Sequence, residues 1–181
     1  MKRIFFIVGF NNWGKTYLFR NLFKKDKICD IKKIRSFRTD QTYKIFDFKF
    51  DIRFKVMQVS NDDIDLEKYL DKLEKLVLGK NCENIIVALC PTTTGENIEK
   101  YKGTHGHNES LDILRSSFIK RYEKHLIFLE KKWDKRAKLE ISYIEKEYKK
   151  KKVRFKSKII KSVDREHRSK EVIKYLINIY K

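Results

Sequence analysis

The chain has 181 residues, which suffice for one domain and exclude two full-sized ones, so we predict a single domain over residues 1–181. Apolar residues make up 41% of the chain, and the net charge of +19 excludes an acidic disordered protein while favouring anionic partners such as phosphate groups or nucleic acid. Lysine outnumbers arginine 33 to 11, and a genome poor in G and C would supply the same excess without any partner.

Apolar runs and periodic segments alternate along the first half of the chain. The predicted elements are a buried strand at 3–8, a helix at 15–25, an antiparallel hairpin at 43–50 and 52–59, and an amphipathic helix at 65–78. Gly79 directly follows the last of these helices and is a typical stop signal. This half therefore begins with a strand–loop–helix unit in which a glycine-containing segment joins the first two elements.

The second half continues the alternation of strands and helices. The predicted elements are a strand at 85–90, a helix at 109–122, a short strand at 125–129, a helix at 133–152, a strand at 153–163 and a helix at 165–180. Alternation around apolar central strands predicts a three-layer α/β fold with a mostly parallel central sheet and one antiparallel strand.

Neither the cysteines nor the apolar runs indicate secretion or membrane insertion. Cys29, Cys82 and Cys90 are odd in number and widely spaced, as is typical of reduced thiols in a cytoplasmic protein. The apolar run near the N-terminus leads into polar residues instead of a cleavage site, and no stretch approaches the roughly 18 apolar residues of a spanning helix. We therefore expect a cytoplasmic protein without a membrane span.

Residues 9–16 read GFNNWGKT and match the pattern G-x-x-x-x-G-K-[ST] completely. A buried strand precedes the segment and an amphipathic helix follows it, which is the context that this motif requires. The segment resembles the Walker A loop of the P-loop NTPases. The resemblance implies the three-layer P-loop NTPase fold, a bound ATP or GTP, and Mg²⁺ as cofactor.

The resemblance also implies a role for each position of the loop. Lys15 would reach the β- and γ-phosphates as the catalytic residue, and Thr16 would offer its hydroxyl to Mg²⁺. The main chain from Gly9 to Gly14, at a helix N-terminus, would cradle the phosphates. The remaining nucleotide contacts are assigned to Asn11, Asn12, Trp13 and Tyr17, with core packing as the alternative role of the Trp13 side chain.

Two further segments resemble a GTPase-like arrangement more than a nucleotide kinase. Thr39 or Thr42 stands where small GTPases place a Mg²⁺-sensing threonine, after the first helix and before the hairpin. The segment at 130–134, EKKWD, is similar to the guanine motif [NT]-K-x-D. In that motif Lys132 would stack on the base and Asp134 would accept from the guanine N1 and N2 donors, whereas a solvated helix start is the other interpretation.

The acidic partner of Mg²⁺ is less clearly marked. Small GTPases follow the second hairpin strand with Asp-x-x-Gly, but this chain has Ser60-Asn61-Asp62-Asp63 and no glycine. Asp62 or Asp63 is therefore either a shifted metal ligand, for which we choose Asp62, or an N-cap of the helix at 65–78. The two glutamines, Gln41 and Gln58, are not positioned to orient water, so we expect slow hydrolysis.

The sequence leaves three functions open. The first is Mg²⁺-dependent binding of a nucleoside triphosphate, with slow hydrolysis, in a switch or NTPase. The second is a nucleotide or nucleoside kinase, in which Arg115 and Arg121 would clamp phosphates. The third is a nucleotide-gated module that binds nucleic acid or an acidic protein through residues 119–161, which carry 17 Lys+Arg against 6 Asp+Glu.

Overall fold

A computed structural model describes the protein at residues 1–10, 12–25, 32–33, 36–46, 48–79, 83–91, 106–132 and 138–181. The strands are β1 (Arg3–Val8), β2 (Lys24–Lys25), β3 (Lys32–Lys33), β4 (Tyr43–Lys44), β5 (Arg53–Met57), β6 (Asn84–Leu89), β7 (Glu123–Leu129) and β8 (Lys156–Ile160). The helices are α1 (Lys15–Leu22), α2 (Leu66–Leu78), α3 (Gly106–Arg115), α4 (Ile141–Lys150) and α5 (Arg165–Tyr180), with a 3₁₀ turn at Ser117–Ile119.

Six strands form one sheet in the order β4-β5-β6-β1-β7-β8, and β2 pairs with β3 separately. All neighbours in the large sheet are parallel except β4 and β5, which pair antiparallel with Tyr43 opposite Phe54. The predicted α/β class, the mostly parallel sheet and its one antiparallel strand are therefore confirmed. The side chains of β1, β6 and β7 explain why these strands are central, because almost all of them are buried and apolar.

The helices cover the sheet on two faces. The connections through α2, α3 and α4 all advance along the sheet in one direction, and the connection through α1 runs in the opposite direction. Right-handed crossovers therefore place α1 on the face opposite α2, α3 and α4. Helix α5 packs against α1 and so completes that face.

Several predicted boundaries change in the structure. The first helix ends at Leu22 instead of residue 25, because Lys24–Lys25 pairs as β2. The hairpin is much shorter than 43–50 and 52–59, with two residues in β4. The prediction of a helix at 133–152 was wrong at its start, since Lys138 forms a β-bridge with Lys131 and α4 begins at Ile141.

The end of α2 at Gly79 has a different cause from a usual glycine stop. Gly79 has an extended backbone with φ −63°, which any residue could adopt. However, the buried Lys55 ammonium donates to the Leu76 carbonyl at 3.1 Å, and a Cβ on Gly79 would collide with that ammonium. A Cβ here would displace the Lys55 ammonium from the Leu76 carbonyl, so close approach of a buried lysine, and not backbone conformation, favours glycine at this position. Within the described ranges, no helix is both long and apolar enough to cross a membrane.

Candidate functional site

The segment at residues 9–16, here termed the glycine-rich loop, joins the carboxyl end of β1 to the start of α1. Asn12 and Gly14 have φ values of 59° and 85°, so both adopt the left-handed conformation. Asparagine is among the non-glycine residues that tolerate this conformation best, and glycine adopts it without steric cost. These two positions bend the chain so that it enters α1 immediately after Gly14.

Lys15 is the best-defined side chain of the loop. Its ammonium donates to the Gly9 carbonyl at 2.6 Å and to the Phe10 carbonyl at 2.9 Å, and the side chain is 7% exposed. The Asp62 carboxylate lies 3.8 Å from the same ammonium. Lys15 therefore folds back over its own loop, with its charge held mainly by neutral carbonyls.

The first turn of α1 supplies further groups that could bind an anion beside the loop. The first amides of a helix have no partner within the helix, and the helix dipole makes this end positive. Thr16 and Tyr17, in this turn, line the adjacent pocket. The amide of Gly9 does not point into the loop, because it donates to the Leu89 carbonyl at 3.1 Å and so extends the sheet. The expected cradle therefore loses the Gly9 amide, and the Gly9 carbonyl holds Lys15 instead.

The acidic residues after β5 are positioned by Asn61. The Asn61 side chain is buried, accepts from the Cys90 amide at 2.8 Å, and donates to the Cys90 carbonyl and to Glu109. This ties the segment after β5 to the end of β6, and β6 lies next to β1. Asp62 therefore reaches Lys15, although a whole strand separates β5 from β1.

The N-cap interpretation of Asp62 and Asp63 was wrong. The N-cap of α2 is Asp65, which accepts from the Lys68 amide at 2.9 Å. Asp63 accepts from the Ser60 amide at 2.9 Å and lines the pocket beside the loop. Both carboxylates are thus free of the helix-capping role and lie at the site.

A pocket of about 550 Å³ opens beside the glycine-rich loop. Its lining includes four cationic side chains and the Asp63 carboxylate. The cations are Lys15, Arg20, Lys132 and Arg165. Arg165 lies over the Tyr17 ring with 4.8 Å between the guanidinium carbon and the ring centroid. The pocket is therefore strongly positive, as a site for a multiply charged anion requires.

Arg168 is a functional candidate that the sequence did not reveal. It is 2% exposed, and its guanidinium donates to three main-chain carbonyls: Trp13 at 2.6 Å, Ser162 at 2.8 Å, and Lys131. These carbonyls follow β1, β8 and β7, which are neighbours in the sheet. Arg168 thus fixes the glycine-rich loop to the ends of two other strands. No local pattern could have indicated this, because the partners are distant in sequence.

The remaining predicted residues fall into three groups. Lys132 lies in the pocket with the loop, as the guanine-motif interpretation requires, while Asn11 and Asp134 lie outside the described residues. The Trp13 side chain is 3% exposed and packs edge-on against Phe10, which supports the packing role over a nucleotide contact by its ring. Thr39 is in an exposed turn and is not among the described residues that line the pocket.

The donor set at the loop fits Mg²⁺ better than a transition metal. Mg²⁺ binds through one or two carboxylates or hydroxyls, with substrate phosphates and water completing its shell. Thr16, Asp62 and Asp63 supply such oxygens around Lys15. Within the part of the chain that the structure describes, no group of three or more His, Cys, Asp or Glu side chains could hold a metal by itself.

Comparison with protein-family profiles, with curated proteins and with solved structures found no match to this chain.

Proposed function

We propose that the protein binds a Mg²⁺–nucleoside triphosphate, ATP or GTP, in the glycine-rich loop and hydrolyses it slowly to the diphosphate, as a P-loop NTPase or switch. The observation that carries this proposal is Lys15 at the N-terminus of α1, bound to the Gly9 and Phe10 carbonyls beside a positive pocket. The backbone adds to this support, because a buried strand, two left-handed residues and a helix N-terminus form a turn that can bind phosphate.

The proposed contacts follow from the positions of the side chains. The amides of the first turn of α1 bind phosphate oxygens, and Lys15 exchanges a loop carbonyl for the β- and γ-phosphates. Thr16 and Asp62 hold Mg²⁺, whose charge offsets that of the phosphates. Arg20 and Arg165 line the same pocket and stabilise the charge that develops as the terminal phosphate is transferred.

We expect slow turnover because the pocket offers few groups that could act as a general base for hydrolysis. Among the described residues that line the pocket, only Asp63 could accept a proton from an attacking water. Its carboxylate already accepts from the Ser60 amide, so one of its two oxygens is occupied. Transfer to water is favoured over transfer to a second substrate, because Arg115, a proposed phosphate clamp of the kinase alternative, lines a different pocket.

Isothermal titration of ATP and GTP, with and without Mg²⁺, tests this function. We expect Lys15→Ala to weaken nucleotide binding by about 100-fold, which corresponds to roughly 2.7 kcal/mol. Lys72→Ala, which removes an exposed lysine of α2, is the matched control and should bind as the wild type does. The proposal fails if neither nucleotide binds the wild-type protein or if both variants bind alike.

Product analysis and base preference sharpen the proposal. Free phosphate released in proportion to the diphosphate indicates hydrolysis, whereas a phosphorylated nucleoside or nucleotide indicates the kinase alternative. If Lys132 stacks on guanine, Lys132→Ala should weaken GTP binding several-fold more than ATP binding. Equal loss for both nucleotides would mean that Lys132 contacts phosphate and not the base.

A further inference from the structure

A second pocket, of about 600 Å³, lies at the other end of the sheet from the glycine-rich loop. It is formed by the end of α3, the 3₁₀ turn, the start of β7 and the segment between α4 and β8. Its cationic lining residues are Arg115, Lys120, Lys124, Lys152 and Arg154. Ser116 and Ser117 also line it, and none of its described lining residues is acidic.

Unlike several exposed lysines of the described chain, the cations of this pocket have no carboxylate partner. Lys68 pairs with Asp65 at 2.8 Å and Lys75 pairs with Asp71 at 2.7 Å on the surface of α2. By contrast, no carboxylate of the described chain pairs with any of the five cations that line the pocket. The half-buried Lys124 donates only to the Ile119 carbonyl, at 3.0 Å. The positive charge of the pocket is therefore not neutralised from within.

Lys152 provides a second, independent observation. Its φ is 62°, and it follows the C-cap of α4 in a Schellman motif: its amide donates to Lys149, and the amide of Val153 donates to Tyr148. This position is usually glycine, because a left-handed backbone strains any residue with a Cβ. The chain instead holds a lysine there whose side chain lines the pocket. A requirement for the Lys152 ammonium in the pocket would explain why this strained position is not a glycine.

We propose that this pocket is a binding site for clustered phosphate groups, separate from the nucleotide site. Five cations and the Ser117 hydroxyl around one concavity match several phosphates held close together, and a single carboxylate would leave most of the cations without a partner. The Lys124 ammonium uses one of its three N–H donors on the Ile119 carbonyl, which leaves the other two for phosphate oxygens.

Inorganic tripolyphosphate, titrated calorimetrically without Mg²⁺ into the Lys15→Ala protein, is the first test. We expect one saturable site, which Lys152→Gly weakens by about tenfold, as for one lost charge-assisted bond. Lys152→Gly should also raise the Tm, because it relieves the left-handed strain. A purely structural lysine cannot give this combination of weaker binding and higher stability.

Matched variants distinguish a loss of specific binding from a change in net charge or in stability. Lys152→Arg should retain binding without a gain in Tm, and Lys72→Gln should leave the affinity within about twofold of its parent. The titration is then repeated with Lys15 intact, with and without Lys152→Gly. The substitution should lower the affinity of one of the two classes of tripolyphosphate sites. The proposal is overturned if tripolyphosphate does not bind, or if Lys152→Gly and Lys72→Gln weaken binding equally.

A labelled single-stranded oligonucleotide of about 16 nucleotides distinguishes the two sources of clustered phosphate. Binding that depends on Lys152 and is displaced by tripolyphosphate supports the site and assigns it to a nucleic-acid backbone. Tripolyphosphate binding without oligonucleotide binding supports the site and assigns it to a small polyphosphorylated molecule. Oligonucleotide binding that is indifferent to Lys152 and is not displaced by tripolyphosphate contradicts the assignment to a nucleic-acid backbone.

Discussion

Charged side chains hold the strands β1, β7 and β8 together at both ends. The central side chain is a cation, Arg168, at the carboxyl ends and an anion, Glu123, at the amino ends. At their carboxyl ends, the Arg168 guanidinium donates to carbonyls that follow each of the three strands. At their amino ends, the Glu123 carboxylate of β7 pairs with Arg3 of β1 at 3.2 Å and with Lys156 of β8. One helix serves both ends, since α5 carries Arg168 near its start and Tyr175 two turns later.

At the amino ends, the partners of the Glu123 carboxylate all lie within the cluster. Glu123 accepts from two cations, and the buried His125 ring lies 3.3 Å from the same carboxylate. His125 also stacks on Phe5 and bonds the Tyr175 hydroxyl at 2.9 Å. Burial lowers the pKa of His125 below its ordinary value, which favours the neutral ring. This cluster therefore has the character of a structural network.

At the carboxyl ends, the cations are held mainly by carbonyls, and the Asp62 carboxylate lies 3.8 Å from Lys15. The partners of Arg168 are carbonyl dipoles, as are the nearest partners of Lys15, so both positive charges persist beside the glycine-rich loop. A phosphate group approaching the loop meets this field together with the N-terminus of α1. The two ends therefore differ in kind: two cations are bound mainly by carbonyls beside the loop, whereas one carboxylate is bound by cations at the opposite ends of the strands.

Arg168→Met should have the largest effect of the substitutions that test this comparison. Methionine has a similar length but no donors, so three buried carbonyls lose their partner and the loop loses its attachment to β7 and β8. We expect a loss of about 3–5 kcal/mol in the free energy of unfolding, measured by urea denaturation. Nucleotide affinity in the protein that remains folded should fall by about tenfold.

Arg168→Lys sharpens that experiment. The ammonium keeps the positive charge but cannot reach three divergent carbonyls as a planar guanidinium does. The affinity should then lie between those of the wild type and Arg168→Met. If Arg168→Met leaves nucleotide affinity unchanged while stability falls, Arg168 supports the fold only and the contrast between the two ends disappears.

Asn61→Ala should have the next largest effect. It leaves the buried Cys90 amide without its acceptor and frees the segment that carries Asp62, so unfolding should become about 2–3 kcal/mol easier. Because Asp62 is the proposed Mg²⁺ ligand, the variant should also need more Mg²⁺ for half-maximal nucleotide binding. Asp65→Ala is the control: it removes the N-cap of α2, at about 1 kcal/mol, together with the exposed ion pair to Lys68, and the Mg²⁺ requirement should not change.

The sequence predicted the local features of the fold and site but not the contacts between distant segments. Helix α5 has the predicted bounds, 165–180, because Asp164 caps its start through the amides of Glu166 and His167. The glycine-rich loop could also be predicted from the sequence, because its residues are contiguous. Arg168 was not, because its role depends on the Trp13 carbonyl, which is 155 residues away. A one-dimensional pattern contains no trace of that contact.

The basic segment 119–161 shows the same limit. Its excess of lysine and arginine suggested one anion-binding surface, but the structure divides it by local environment. Lys156 pairs with Glu123, while Lys158 belongs to the edge strand β8, where lysines discourage pairing with other chains. Lys152 and Arg154 line the second pocket. Composition could count these charges but could not separate their roles.

Glu123→Gln should have the smallest effect and tests the amino ends of the strands. The Lys156 ammonium, which donates to Glu123, holds the pKa of that carboxyl at about 2, well below its ordinary value of 4.5. A carboxyl with a lowered pKa stabilises the folded state above its ordinary pKa, and this contribution is lost as the pH falls from 4.5 towards 2. At pH 7 the variant should therefore be less stable by about 1–2 kcal/mol in urea denaturation. The difference from the wild-type protein should shrink in acid, and nucleotide affinity should not change. A difference in stability that is independent of pH would contradict the ion-pair network, and a loss of nucleotide binding would show that the two ends of the sheet are coupled.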